Sequence, residues 1–371
     1  MKRVFAAEGR AVVIDVPEPE LRKGEVLIKT AFSAVSTGTE THILQNMQRL
    51  GRLARDEYPG FDEKWPQYRS PSVRRDDPLP REPHPDYPAL GYSAAGTVLA
   101  VADNVLDLKP GDRVACSGSQ CSWHTEQIAA PRNLVVPVPE GVSLDQAAFV
   151  TLGSIATEAV RKAGCQFGET IVITGLGLLG LLATQIARSA GYYVVALDLD
   201  DGRLATAKSV GAGWTANVAR DDVEAIVREA TGGFGADAVL LTVATESSEP
   251  LNQAFDIVRQ RGTVVAVGQF GMEVDRQRWF HHEANLTVVL AYGPGRYDPV
   301  YEEGNVDFPI GFGRWAENRN MAHFLRLVSE GRVDLGPIAP ITFPVERAPE
   351  AYELLMSSSR PPTVVFTYGQ A

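Results

Sequence analysis

The sequence predicts an α/β protein: a β-rich first part followed by a doubly wound parallel sheet. Three observations carry this. From about residue 153 onward, short apolar β-branched runs alternate with helical patterns. One junction, Ile171-Val-Ile-Thr-Gly-Leu-Gly-Leu-Leu-Gly180, places Gly-x-Gly-x-x-Gly between a strand and a helix. The residues before it read mainly as strands separated by turn signals.

The elements follow in chain order. Met1-Lys-Arg-Val-Phe-Ala-Ala-Glu-Gly9 lacks the sustained apolar core of an export signal and reads as a first strand. Strand-like runs follow at Val12–Asp15, Glu25–Thr30, Ala95–Val101 and Asp112–Cys116, with Lys109-Pro-Gly-Asp112 as a turn. Residues 48–88 are rich in Pro, Arg and Asp and carry Trp65. They are expected to form a long surface excursion: a lid, a subunit contact or a variable loop. The second part is expected to hold strands at Ile171–Thr174, Tyr193–Leu197, Ala238–Thr242, Thr263–Val267 and Leu286–Ala291. Helices are expected near 181–190, 202–210, 221–230 and 250–260. A helix at Asn320–Glu330 and a last strand, Thr363-Val-Val-Phe-Thr367, end the pattern. That strand is expected to return to the first part.

Composition bounds the partners. A chain of 371 residues suits two domains, and 44% hydrophobic with 22% charged residues is an ordinary globular balance. The net charge of −11 argues against nucleic acid and anionic membranes as partners. Three cysteines make no disulfide framework, so a reducing cytoplasm is the expected setting. No apolar run reaches the ~18 residues of a membrane span.

The glycine run specifies a ligand. Gly175 permits a tight turn, Gly177 lets the backbone approach a pyrophosphate, and Gly180 lets helix and strand pack closely. Leu178 and Leu179 open the helix whose N-terminus attracts phosphate. The next strand ends in Asp198, a carboxylate about 20 residues on that accepts from ribose hydroxyls and repels a 2′-phosphate. The expected cofactor is NAD(H). Asp200 or Asp201 could share the role of Asp198, and Arg203 is near enough to reach the ribose or a phosphate.

This order, with Pro88-Ala-Leu-Gly-Tyr-Ser-Ala-Ala-Gly-Thr-Val98 and Leu108-Lys-Pro-Gly-Asp-Arg-Val114, resembles the medium-chain dehydrogenase/reductase superfamily. The resemblance implies a GroES-like β-rich catalytic domain plus a Rossmann domain, with the active site in the cleft between them. The implied divisions are a catalytic domain over 1–152, a Rossmann NAD-binding domain over 153–293, and a return to the catalytic domain over 294–371. A closer likeness is to a branch found in some sugar, cyclitol and polysaccharide pathways. It rests on Val35-Ser-Thr-Gly-Thr-Glu40, Tyr292-Gly-Pro-Gly-Arg-Tyr-Asp-Pro299, Tyr301-Glu-Glu303, Arg314-Trp315 and Arg319-Asn320. The Ser-Thr-Gly-Thr-Glu run also resembles bacteriochlorophyllide dehydrogenases.

Zinc alcohol dehydrogenases of the superfamily carry a Cys-Gly-Ser/Thr-Asp-x-His segment. Here it reads Thr37-Gly-Thr-Glu-Thr-His42, so the cysteine ligand is Thr37. The family's Gly-His-Glu reads Gly91-Tyr92-Ser93, and the third ligand falls in Phe149-Val-Thr-Leu-Gly153, which has no Cys, His or carboxylate. Catalytic zinc takes three nitrogen, sulfur or carboxylate ligands, so no zinc is expected. Cys116, Cys121 and His124 offer three donors without a fourth, and are expected to be buried thiols and a hydrogen-bonded strand histidine.

Without zinc, side chains must handle the proton. Thr39 keeps the hydroxyl of the family's proton relay, and His42 falls where its relay histidine sits. Tyr92 or Thr39 is expected to bond the substrate oxygen, with protons passing by Thr39 and the cofactor ribose to His42. Glu40 is either a general base or an orienting acid. Ser154 matches a small hydroxyl residue bordering the nicotinamide, and Val243 and Val267 are expected to line it from strand ends. Arg296, Tyr297 and Arg314 could meet a polyhydroxylated or anionic substrate, or form structural contacts. The run Asn285–Ala291 could be a sheet edge that pairs across a homodimer axis, or an ordinary buried strand.

The leading expectation is a zinc-independent NAD(H)-dependent oxidoreductase that interconverts a secondary alcohol and a ketone. Its small-molecule substrate would be sugar-like, a cyclitol or a specialised metabolite. A zinc-free quinone or enoyl reductase, or an NAD-binding protein without turnover, are the alternatives.

Overall fold

The computed structural model describes residues 1–50, 87–338, 340–357 and 360–369. The excursion expected over 48–88 lies almost wholly outside the described residues.

A hairpin of β1 (Lys2–Ala7) and β2 (Arg10–Asp15) opens the chain, turning at Glu8-Gly9. A largely antiparallel sheet then forms in the order β14-β15-β3-β4-β5-β7, with β6 also pairing β3. Its strands are β3 (Glu25–Ala34), β4 (Ser93–Val101), β5 (Arg113–Ser117), β6 (Gln127–Pro131), β7 (Val135–Pro137), β14 (Ile341–Pro344) and β15 (Val364–Thr367). The last strand joins this sheet because Val365 and Phe366 pair antiparallel with Ala34 and Ser33 at the end of β3.

The second sheet has six parallel strands, in the order β10-β9-β8-β11-β12-β13. They are β8 (Thr170–Thr174), β9 (Tyr193–Asp198), β10 (Trp214–Asn217), β11 (Ala236–Leu241), β12 (Val258–Ala266) and β13 (Asn285–Val288). Alternation along each strand decides the two cores. Ile171, Ile173, Val194, Ala196, Ala238 and Leu240 face helices Val150–Lys162, Leu178–Ser189 and Glu317–Ser329. Val172, Val195, Leu197, Val239 and Leu241 face helices Val223–Ala230 and Glu249–Ile257. A sheet buried on both faces accounts for the nearly continuous apolar strands.

Two differences from the sequence reading have local causes. The helix expected to reach 260 stops at Ile257, and the chain enters β12 at Val258. Strand β10, four residues with half-buried Trp214 and Thr215, is too short to leave an alternation signal.

Helix Val150–Lys162 ties the two sheets together. The core it shares with the parallel sheet also contains Ala34, Ala95, Ala115 and Val365 of the other sheet. Its Gly153 admits the ring of Phe324, since a Cβ there would lie 2.2 Å from that ring. Among the described residues no helix is long and apolar enough to cross a membrane.

Candidate active site

The nucleotide turn is built as its three glycines require. Gly175 has φ +93°, and a Cβ there would lie 2.7 Å from the Val243 side chain. At Gly180 a Cβ would lie 2.0 Å from the Gly175 carbonyl oxygen, so only glycine lets the helix come this close. Around the Cβ position of Gly177 there is no atom within 4 Å. Gly177 is also the N-cap of helix Leu178–Ser189 and offers no side chain to its free amides. A glycine facing open space at an uncapped helix N-terminus fits a pyrophosphate.

Asp198 stands at the end of β9 and is nearly buried. One oxygen accepts from the Leu176 amide at 2.5 Å, the other from the amides of Leu199 and Asp200 at 2.8 and 3.0 Å. The Arg203 guanidinium lies 3.9 Å away. The neighbouring acids are engaged elsewhere. Asp200 caps its helix by accepting from the Arg203 amide. Asp201 is exposed, and hydrogen bonds from Arg220 and Asn217 pull its carboxyl down to about 2. Val243 and Val267 follow the ends of β11 and β12, and Val267 donates its amide to the Leu241 carbonyl. The Ser154 hydroxyl is buried and donates to the Val150 carbonyl one turn back.

A second cluster of contacts converges on Tyr92. Gly91 precedes it with φ +96°, and a Cβ there would lie 2.5 Å from the His124 amide nitrogen. The Tyr92 carbonyl accepts from the Gly118 amide and the Thr151 hydroxyl, while Ser93 Oγ donates to Ala148 and accepts from the Thr151 amide. The residue is thereby fixed against the start of helix Val150–Lys162. Burial pushes its phenol up to about 12, against the pull of hydrogen bonds with the Ser36 and Thr39 side chains; Glu40 and Tyr297 add to the rise. The phenol therefore keeps its proton further into the alkaline range than a free tyrosine does.

Thr39 is exposed in the first turn of helix Thr37–Leu50. His42, on the same helix, shares a hydrogen bond of 2.7 Å with Asn46. Glu40 points the other way. It is buried, with one oxygen accepting from the Ser36 amide at 2.7 Å. Its second oxygen is held by the Tyr352 hydroxyl and lies 3.0 Å from His124 Nε2. His124 Nδ1 in turn lies 2.6 Å from Ser33 Oγ, which bonds the Tyr368 hydroxyl. Both Glu40 oxygens are thus engaged within the protein. Ser36, Tyr352 and Tyr368 were not legible as site residues, because nothing in their sequence neighbourhood marks them. Cys116 and Cys121 are buried thiols.

The segment after β13 carries the other polar candidates. Arg296 is nearly buried; its guanidinium donates to Glu302 at 2.6 Å, Gln120 at 3.1 Å and Ser119 at 2.6 Å. It also lies 3.9 Å over the ring of Tyr297. Glu317 is wholly buried, and burial together with Glu302 pushes its carboxyl up to about 9. Arg314 is exposed and stacks on Trp315, with Arg161 on the same ring. Arg296 is thus committed within the protein, whereas Tyr297 stays exposed.

The residues at the zinc-ligand positions have other partners. Thr37 Oγ1 donates to the Pro362 carbonyl at 2.8 Å, the Tyr92 phenol contacts the Ser36 and Thr39 side chains, and the Thr151 hydroxyl donates to the Tyr92 carbonyl at 2.8 Å and lies 2.7 Å from Ser117 Oγ. In the stretch 149–153, where the third ligand would fall, Phe149, Val150 and Leu152 are apolar and buried. Among the described residues no group of three His, Cys, Asp or Glu side chains could hold a metal ion.

Comparison with known proteins agrees with this architecture. A family profile described as "Zinc-binding dehydrogenase" matches residues 179–303. An alcohol dehydrogenase of Geobacillus stearothermophilus is 31% identical over 206 residues, covering 48% of this chain and 60% of the relative. The chain thus spans less than two thirds of that curated relative. Alcohol dehydrogenase TADH from Thermus sp. ATN1 superposes with a TM-score of 0.74 at 20% identity, covering 100% of both chains. A quinone oxidoreductase of Pseudomonas syringae gives 0.70 at 19% identity over 99% of both. The full-length superpositions show that the chain shares the fold of these alcohol dehydrogenases and quinone oxidoreductases, and its residues 179–303 match the zinc-binding dehydrogenase family.

Proposed function

We propose that the chain is an NAD(H)-dependent oxidoreductase that interconverts a secondary alcohol and a ketone without catalytic zinc. Its substrate is sugar-like, a cyclitol or a related specialised metabolite. The observation that carries this reading is Tyr92, a phenol in hydrogen-bond contact with the Ser36 and Thr39 side chains at the position where the resemblance puts a zinc-ligating histidine. Thr37, Tyr92 and the stretch Phe149–Gly153, which has no Cys, His or carboxylate, do not make a zinc donor set.

Residues 153–293 would hold the dinucleotide, through the Gly175–Gly180 turn and Asp198. Bound there, the nicotinamide supplies the hydride acceptor or donor. The protein supplies position and proton control. Tyr92 donates a hydrogen bond to the substrate oxygen and so stabilises negative charge developing on it. Ser36 and Thr39 hold the phenol and exchange protons with it. Exposed Thr39 and His42, three residues on, open the route to solvent. Glu40, with His124 and Tyr352, keeps this helix start in place. Strand β13 lies at the sheet edge with Val288 and Leu290 exposed, which supports a homodimer paired along it.

A second reading, a zinc-free quinone or enoyl reductase, is favoured by the same absence of zinc donors, since that reaction needs no metal-bound alkoxide. The two separate in one assay: NADH against NADPH with alcohols, ketones and quinones, on protein whose metal content is measured. The proposal expects turnover of alcohol or ketone with NADH at no stoichiometric zinc. Turnover of quinones alone, or zinc-dependent activity, sinks it. Tight NAD binding with no turnover of any substrate points to a binding protein.

A further inference from the structure

We infer that the cavity where helices Val150–Lys162, Leu178–Ser189 and Glu317–Ser329 meet binds a small organic carboxylate with an apolar body. The cavity measures about 190 Å³. Ile186, Ala190 and Leu327 belong to its apolar lining, Arg161, His323 and Arg332 to its polar lining, and no carboxylate lines it. An apolar cavity of about 150 Å³ takes up benzene, so a single aromatic or short aliphatic body fits this space. The cavity lies apart from the dinucleotide turn and from Tyr92. Ser189 stands about 18 Å along the helix axis from Gly177, and Arg161 about 15 Å along its own helix from Thr151. The site is therefore independent of the dehydrogenase reading.

The positive charge here lacks a counter-ion. Arg161 is half-buried: its Nε donates to Asn320 Oδ1 at 3.2 Å, and the Trp315 ring covers one face of the guanidinium. Its Nη2 is buried with no hydrogen-bond partner among the described residues. Glu158, the acid whose charge Arg161 feels most, bonds Asn320 instead. Burial pushes the guanidinium down to about 10 against the pull of Glu158, and Arg314 adds to the fall. It is still a cation near pH 7, and a half-buried cation without an anion is costly. Burial, with Arg161, Arg326 and Arg332, pushes the His323 imidazole down to about 4, and Glu330 opposes them. Helix capping does not account for these cations. The last carbonyls already have donors: the Ala190 amide for Ile186 and Ala187, the Gly191 amide for Arg188, and Arg332 for Ser189. A carboxylate in the cavity meets guanidinium groups and no competing acid, while its body covers Ile186 and Leu327. Inorganic phosphate has no use for that apolar lining.

The test titrates the full chain with sodium benzoate, with benzyl alcohol as its neutral counterpart, and with inorganic phosphate. Binding is read by calorimetry, and its place by the His323 ring signals in NMR near pH 7. Benzoate should bind and move those signals, with benzyl alcohol and phosphate each about tenfold weaker or more. Arg161→Met keeps much of the side-chain length without the charge and should weaken benzoate about tenfold. Ala190→Phe places a ring at an exposed position of the lining, leaves every charge in place, and should abolish binding. Melting temperature without ligand reports on the fold of each variant; if Arg161→Met does not fold, Ala190→Phe decides. Benzoate binding that leaves the His323 signals unmoved, or that survives Ala190→Phe, overturns the inference. So does equal affinity for benzoate and benzyl alcohol, or phosphate bound more tightly than benzoate.

Discussion

The nucleotide turn and the Tyr92 cleft are built in opposite ways. The turn is local: one strand, three glycines, one helix and the acid at the end of the next strand, each shaped by its immediate neighbours. The cleft is assembled from a helix start at Ser36–Thr39, a strand start at Tyr92, a loop residue at Gly118 and a helix at Thr151. The first is fixed by backbone geometry, the second by side-chain hydrogen bonds between distant segments. Substitutions should therefore act through backbone sterics in the turn and through lost hydrogen bonds around Tyr92.

Four experiments press on that contrast. The largest effect is expected at Gly180. A Gly180→Val side chain starts 2.0 Å from the Gly175 carbonyl, so NADH binding should vanish and urea unfolding should show a loss of about 3 kcal/mol. Gly177→Ala, whose methyl meets nothing, should keep stability within ~0.5 kcal/mol while weakening NADH binding measured by fluorescence. Similar behaviour of the two variants would break the claim that each glycine has a separate task.

Next comes Tyr92→Phe. Loss of the donor should lower kcat by about 10²- to 10³-fold with NADH affinity unchanged. The wild-type pH profile should carry no tyrosine titration until close to about 12. Wild-type turnover in this variant would move the donor role to Thr39.

Third, Glu40→Leu leaves the Ser36 amide, the Tyr352 hydroxyl and His124 facing an apolar group. A cost of about 3 kcal/mol in chemical denaturation is expected, as for breaking a buried charged contact. A stable variant with normal kcat would show that Glu40 orients nothing of consequence.

The smallest effect is a slope. In the folded protein Glu317 keeps its proton up to about 9, whereas the unfolded chain releases it in the ordinary carboxylate range. The native state thus binds more protons between those values, and wild-type stability should fall as pH rises across that window. Glu317→Gln should flatten the fall, so its advantage in melting temperature grows from pH 5 to pH 9. Parallel curves would mean that the pair with Glu302 does not hold its proton.

The sequence exposed what is contiguous. The strand, glycine run, helix and Asp198 were readable together because spacing alone defines them, and the parallel strands were readable because burial on both faces makes them continuously apolar. Thr39, Tyr92 and the altered zinc positions were readable only by likeness to a family pattern. The partners of Glu40 were not readable, since His124, Tyr352 and Ser33 meet it only through sheet pairing and the return of the C-terminal strand. Nor was the difference between Arg296 and Tyr297: adjacent in sequence, one is spent on internal contacts and the other left open.

Asp198 has one more consequence. Its carboxylate accepts the amide of Leu176, in the middle of the glycine turn, as well as two amides of its own loop. The side chain that would discriminate between dinucleotides is thus also a strut of the platform that receives them. Exchanging it for a residue that tolerates a 2′-phosphate strips an amide in the turn of its acceptor. A lineage drifting from one coenzyme to the other would have to cross a less stable intermediate, or acquire a replacement acceptor first. On the proposed dinucleotide site, any exchange of Asp198 to alter coenzyme preference should begin by rebuilding the support for Leu176.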